Sequence, residues 1–196
     1  SAVEVVHLDL TDAERLREAY PRVNRSPLGA AALGTSSFPI HRPRLADLLG
    51  FDGPEPNSYD ANLVASMDVA LEVVHIAQSS ALTVGALTED IVAQYRGVDP
   101  WLLIREGALT GPSSIMPQKR NPYGLNAVRE TASAVMAASV GFSIAAHNVS
   151  PGMLDYKSGH AERAIDAADS MLVNLDKVLA ALAVNKARAL AEVNAD

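Results

Sequence analysis

Gly111-Pro112-Ser113-Ser114-Ile115-Met116-Pro117-Gln118-Lys119-Arg120-Asn121-Pro122 is the stretch around which the rest of the chain is ordered. It sets two hydroxyls, a lysine, an arginine and an amide among prolines, between segments with apolar, helical spacing. Asn121 suits an N-cap, and Pro122 suits a first helical turn, where its missing N–H would have been an orphan donor. A helix is therefore predicted from Pro122. Its free N–H groups and positive dipole end would point back at the loop, where Lys119 and Arg120 add full charges, so the combination reads as an anion site. Pro112 and Pro117 restrict the backbone between them, and Ser113 and Ser114 place hydroxyls beside the anion. The alternative left open by composition alone is a Pro/Ser/Asn-rich connector with solvated charges.

The helix that follows should run to about Ala146. Upstream, a long helix is predicted from Asn57 or Ser58, with Leu63, Met67, Ala70, Val74, Ala77, Ala81 and Val84 spaced alternately four and three apart, the seam of a left-handed helix bundle. A last long helix should begin near Ser158, with Ile165, Ala168, Leu172, Leu175, Leu179 and Leu182 inward and Glu162, Asp166, Asp169 and Asp176 outside that seam. Shorter pieces complete the reading. Thr11-Asp12-Ala13-Glu14 has the form of a capping box and predicts a short helix to about Tyr20. Residues 21–41 read as an extended connector, residues 43–49 as one or two helical turns ended by Gly50, and residues 52–56 as a breaker cluster. Asp99 and Pro100 predict another short helix, through Arg105 and ending near Gly107.

A chain of 196 residues, 48% hydrophobic but only 5% aromatic, can bury a proper core, and its abundance of alanine favours helices packed through small side chains. The predicted class is all-α, a bundle of rods about 30 Å long. A net charge of −7 argues against nucleic acid as a partner. Cysteine is absent, which excludes disulfides and Cys-based metal sites. His7, His41, His75, His147 and His160 include no i,i+4 pair, so no metal site is expected; no cofactor is expected either, and His75 reads as a hydrogen-bonded core histidine. The charge-free runs at residues 73–88 and 131–146 fall short of the roughly 20 apolar residues of a spanning helix, so no membrane is expected. They offer almost no polar face, which predicts self-association. The N-terminal residues lack a secretory pattern, and cytoplasm is the expected compartment.

The run from Ser113 to Pro122 resembles the signature loop of the fumarase/aspartase superfamily, whose members usually read Gly-Ser-Ser-x-Met-Pro-x-Lys-x-Asn-Pro. Within it, Ile115-Met116-Pro117-Gln118-Lys119 is similar to argininosuccinate lyases and their close relatives. So are Ser26-Pro27-Leu28-Gly29-Ala30, Phe38-Pro39-Ile40-His41-Arg42, Leu48-Leu49-Gly50-Phe51 and Asn57-Ser58-Tyr59-Asp60-Ala61. The resemblance implies the central helical domain of that fold, a homotetramer, and a carbon–nitrogen lyase of arginine biosynthesis that eliminates arginine from an N-substituted aspartate to leave fumarate. It implies Ser113 as the base, Lys119 as a second catalytic group, and Ser114, Met116, Asn121 and Lys157 as residues that bind a dicarboxylate. Two alternatives stay open: a related lyase acting on another N-substituted aspartate or dicarboxylate, and a crystallin-like structural homologue without activity.

The chain departs from the family in three places. Pro112 stands where glycine is usual. After the Asn-Ser-x-Asp-Ala run, Asn62-Leu63-Val64-Ala65-Ser66-Met67-Asp68 follows where the family commonly has Val-Ser-Asp-Arg-Asp. His147-Asn148-Val149-Ser150 replaces Tyr-Asn-Arg-Asp, with Lys157 farther on. These changes bear on the amine half of the substrate. The family's Thr-His and Ser-Ser-Asn motifs have no match in Ser1 to Leu10, which implies an internal portion of a longer enzyme, lacking most of the N-terminal domain and the small C-terminal domain.

Overall fold

The computed structural model describes residues 2–31, 34–61, 67–105, 107–116, 120–147 and 161–194. Seven helices and four short strands lie among them, in the order α1 (Ala2–Val23), α2 (Arg42–Leu49), α3 (Ser58–Ala61), α4 (Asp68–Tyr95), β1 (Leu102–Ile104), β2 (Gly111–Pro112), β3 (Arg120–Asn121), α5 (Tyr123–Ala146), α6 (Ala161–Ala181), β4 (Leu182–Val184) and α7 (Lys186–Val193). The all-α class holds. Helices α4, α5 and α6 pack on one another, and α1 lies along α4.

The α4 seam is the one its spacing predicts. Met67, Val74, Ala81 and Val84 are buried, Ala70 and Ala77 half-buried, and the stripe continues through Thr88, Ile91 and Val92. Leu63 lies outside the described residues. Thr88, at the centre of the core, donates its hydroxyl to the Val84 carbonyl at 2.6 Å, and Ser139 of α5 donates to the Val74 carbonyl at 3.4 Å. Each satisfies its own polar group, so neither costs the desolvation penalty of an unpaired donor. By length and composition α4 could cross a membrane, yet α1, α5 and α6 all pack on it. At its start, the predicted long rod is described in two parts: α3, whose Tyr59 N–H is accepted by the Asn57 side chain at 3.0 Å, and α4, preceded by Met67 in a non-helical conformation.

Helix α6 turns a different edge inward. Ala164, Met171, Leu175 and Val178 are buried, while Ile165, Leu172 and Leu179 are 45%, 46% and 44% exposed. Both sets repeat every seven residues and share Leu175, so the apolar stripe is broad. The bundle buries the edge of Ala164, Met171 and Val178 and leaves Ile165, Leu172 and Leu179 on the outer margin.

Two short elements also differ from their predicted form. Helix α1 runs through Thr11 without a break, so Thr11 has no free terminus to cap. Asp12 is buried instead, accepting hydrogen bonds from Ser80 at 2.8 Å and Arg15 at 2.7 Å, which ties α1 to α4. A second tie joins Arg22 to Glu72, with Nε to Oε2 at 2.8 Å; the hydrogen bond from Arg22 holds the Glu72 carboxyl below the usual glutamate range. After Asp99 comes strand β1 rather than a helix. Leu102 and Ile104 point inward and Leu103 outward, the two-residue period of a strand. It pairs antiparallel with β4, matching Leu102 to Val184 and Ile104 to Leu182. Asp99 forms an ion pair with Arg188 of α7. Helix α2 follows its prediction: His41 Nδ1 accepts the Arg44 N–H at 3.0 Å, and Gly50, at φ 79°, ends the helix in the left-handed region that glycine tolerates.

Replacing Met171, fully buried between α4, α5 and α6, by alanine should lower unfolding free energy by about 2–5 kcal/mol. Urea unfolding followed by far-ultraviolet circular dichroism measures this. A loss below about 0.5 kcal/mol would place position 171 outside the core.

Candidate active site

The signature loop is the crossing of a hairpin. Strand β2 pairs antiparallel with β3, setting Gly111 opposite Asn121 and Pro112 opposite Arg120, and residues 113–119 connect them. Proline lacks an amide donor, so position 112 is tolerable because each of these strands has a single partner. Asn121 is thus a strand residue rather than the cap of the following helix. Helix α5 begins one residue later than predicted, at Tyr123, with Pro122 in the cap position and no side-chain cap bond. The paired strand takes up the backbone that an N-cap would need.

Two close contacts seat this hairpin on the bundle. At Gly124, in the first turn of α5, an added Cβ would lie 3.0 Å from Val178 of α6 and 3.1 Å from Leu109. Its N–H donates to the Leu109 carbonyl at 2.9 Å, so one of the helix-start donors expected to face an anion is already engaged. At Gly111, an added Cβ would lie 2.2 Å from Cε2 of Tyr123. The residues just before the loop therefore lie directly on the start of α5.

Ser113 stands at the root of the loop and is half-buried. Its Oγ accepts the backbone N–H of Ile115 at 3.4 Å and that of Met116 at 3.3 Å. Donors aimed at a hydroxyl oxygen stabilise its deprotonated form, and these two are fixed to the backbone of the same loop. Ser114 and Met116 are exposed, Asn121 is half-buried, and Ile115 is 86% exposed. Lys119 and Lys157 lie outside the described residues. The structure thus brings Ser113, Ser114, Met116 and Asn121 into one hairpin. Sequence reasoning did not single out Tyr123 or the amides of Ile115 and Met116. A glycine at the loop base facing an aromatic at the helix start is the signal for the first.

Larger hollows occur elsewhere. One of about 400 Å³ between the end of α1 and the start of α4 is lined by Arg22, Arg25, Glu55, Asp60 and Asp68. At the hairpin base lies only a shallow depression of about 260 Å³ beside Gly107, Gly111 and Arg120. Ser114, Ile115 and Met116 are exposed, so in one copy of this chain no described residues cover them. His75 is exposed rather than in the core, and its Nε2 lies 3.2 Å from Ser143 Oγ.

A protein-family model described as lyase matches residues 4–137. An argininosuccinate lyase of Jannaschia sp. is 38% identical over 168 residues, covering 84% of this chain and 34% of the relative. That of Natronomonas pharaonis is 46% identical over 125 residues, covering 62% of this chain and 24% of the relative. Among solved structures, EDDS lyase in complex with formate superposes with a TM-score of 0.78 at 30% identity, covering 91% of this chain and 35% of that one. A variant of EDDS lyase with bound fumarate gives 0.77 at the same identity and coverage. The chain thus spans about a quarter to a third of the length of these relatives.

Because Asn121 is not the α5 cap, Asn121→Ala should change unfolding free energy by less than about 0.5 kcal/mol, whereas loss of a true N-cap costs about 1 kcal/mol. Denaturant unfolding of the two proteins side by side measures the difference, and a loss of the larger size would restore the capping role.

Proposed function

The chain belongs to the fumarase/aspartase superfamily of lyases and lies close to its argininosuccinate lyases, and from that premise we propose that it serves as the central helical part of a carbon–nitrogen lyase. The substrate is an N-substituted aspartate, argininosuccinate first among them, and the products are fumarate and an amine, here arginine. The observation that carries this reading is the placement of the Ser113 hydroxyl under the N–H groups of Ile115 and Met116.

A serine is a poor base in water and has to act as an alkoxide. Those two amides supply stabilisation for it, and closure of the loop over substrate would exclude the solvent that levels its basicity. The alkoxide takes the proton from the carbon next to a carboxylate. The released electron pair moves into that carboxylate, giving an aci-carboxylate dianion. Its return forms the carbon–carbon double bond of fumarate and breaks the carbon–nitrogen bond, and the amine leaves with a proton from an acid outside this loop. The dianion is the species that most needs preorganised positive charge and donors. Lys119, Asn121 and the loop backbone fill that role, with Ser114, Met116 and Lys157 holding the rest of the substrate.

Self-association into a tetramer supplies the missing walls of the site. Apolar side chains left exposed on α5 and α6, among them Val140, Ile144, Ile165 and Leu172, support it, since such surface on a soluble chain is a contact surface. The reaction belongs to cytoplasmic arginine biosynthesis. A second substrate reading, another N-substituted aspartate with the same fumarate half, is favoured by the likeness to EDDS lyase and by the departures at positions 65–67 and 147–157.

In the full-length protein, Ser113→Ala should lower fumarate release by at least about 10²-fold while helicity and assembly stay unchanged; undiminished release would remove serine from the mechanism. Lys119→Ala should weaken fumarate binding, read by calorimetric titration, and unaltered affinity would contradict the anion site. Assaying argininosuccinate beside simpler N-substituted aspartates decides the amine, and no fumarate from any of them would favour a structural homologue.

A further inference from the structure

Strands β2 and β3 are two residues each, and a ladder that short does not hold a hairpin in water on its own. Contacts outside the ladder must help fix the root of the loop, and the Gly124 junction holds only the α5 side of it. Gly111 is buried, and its backbone is not in the left-handed region, where the described glycines are 29, 50 and 107. Conformation therefore does not require glycine there; space does. The atoms that occupy the space are those of one ring edge: an added Cβ would lie 2.2 Å from Cε2, 3.0 Å from Cδ2 and 3.1 Å from Cζ of Tyr123. The ring itself is 51% exposed, so burial in a core does not explain its placement. Tyr123 is also the first residue of α5, anchored through its neighbour Gly124 to Leu109 and Val178.

We propose that Tyr123 is a positioning residue for the loop: the edge of its ring, seated against the backbone of Gly111, fixes the angle at which β2 leaves the bundle and hence where Ser113 is presented. This rests on the reading of Ser113 as the base. The ring carries the function and the hydroxyl does not. Gly111 and Tyr123 form a size-matched pair in which a methyl group at position 111 evicts the ring. Displacing a catalytic group by about 1 Å can cost 10²-fold in rate, and Ser114, Ile115 and Met116, next to Ser113, are exposed.

The test uses the full-length protein with Tyr123→Phe, Tyr123→Ala, Gly111→Ala and the double variant, assayed by fumarate release. Tyr123→Phe should keep kcat within about twofold, and Tyr123→Ala should lower it roughly ten- to a hundredfold. Gly111→Ala should be as harmful as Tyr123→Ala when the ring is present, and should add less than about twofold when Tyr123 is already alanine. Tyr123→Leu, which keeps bulk but not the flat edge, stands in if the alanine variant does not fold. A readout independent of activity is tryptic cleavage of the Arg120–Asn121 bond, which should be several-fold faster in Tyr123→Ala and unchanged in Tyr123→Phe. Wild-type kcat and cleavage rate in Tyr123→Ala would overturn the proposal, as would equal damage from Gly111→Ala with and without the ring. If the wild-type protein releases no fumarate from any substrate, the lyase reading and the catalytic role fail, while the cleavage rates still decide whether the ring fixes the loop root.

Discussion

The close approach at Gly124 is the constraint on which the candidate site depends. There the first turn of α5, Val178 of α6 and Leu109 meet so closely that a Cβ at position 124 would lie 3.0 Å from Val178 and 3.1 Å from Leu109. Val178 belongs to the same buried cluster as Val84, Leu125, Val128 and Met171, so the core of the three long helices reaches directly to the chain leading into the loop. A hydrogen bond from the Gly124 amide to the Leu109 carbonyl fixes the same junction. Hydrophobic packing deep in the bundle thereby sets the position of a polar hairpin on its surface. Sites carried by rigid elements hold their geometry better than sites carried by free loops.

Much of this was legible in the residues. The α4 seam is legible because Val74, Ala81 and Val84 recur at heptad spacing, and that stripe is buried, with Ile76 buried beside it. On α6 the pattern was ambiguous: Ile165, Leu172 and Leu179 repeat with the same period as Ala164, Met171 and Val178, and hydrophobicity alone favours the leucines. Packing against α4 and α5 selects the edge of Ala164, Met171 and Val178, a choice made by tertiary contacts. Thr11 to Glu14 has capping-box chemistry, but Asp12 found its partners on α4, which no local rule reveals. Strand β1 was missed because Asp99-Pro100 is a strong helix-start signal, whereas the alternation of Leu102, Leu103 and Ile104 gains its meaning only from β4, distant in sequence.

In the loop, residue types were legible and backbone geometry was not. The resemblance to a known family marks Ser113 as a candidate base. Its acceptance of two amides from its own loop depends on a local fold that the sequence does not spell out. Asn121 was misassigned for an instructive reason: Asn-Pro before an apolar run suits a cap, but pairing with Gly111 across the hairpin took precedence. The chain spans about a quarter to a third of the relatives' lengths.

The most direct test of the account is a crystal structure of full-length protein carrying Ser113→Ala with an N-substituted aspartate bound. With the loop closed, Cβ of position 113 should lie within about 4 Å of the carbon that loses its proton, a separation that a restored hydroxyl would bridge, and the Lys119 ammonium should contact the adjacent carboxylate. A loop splayed into solvent with substrate in place, its lysine and Asn121 remote from the ligand, would contradict it.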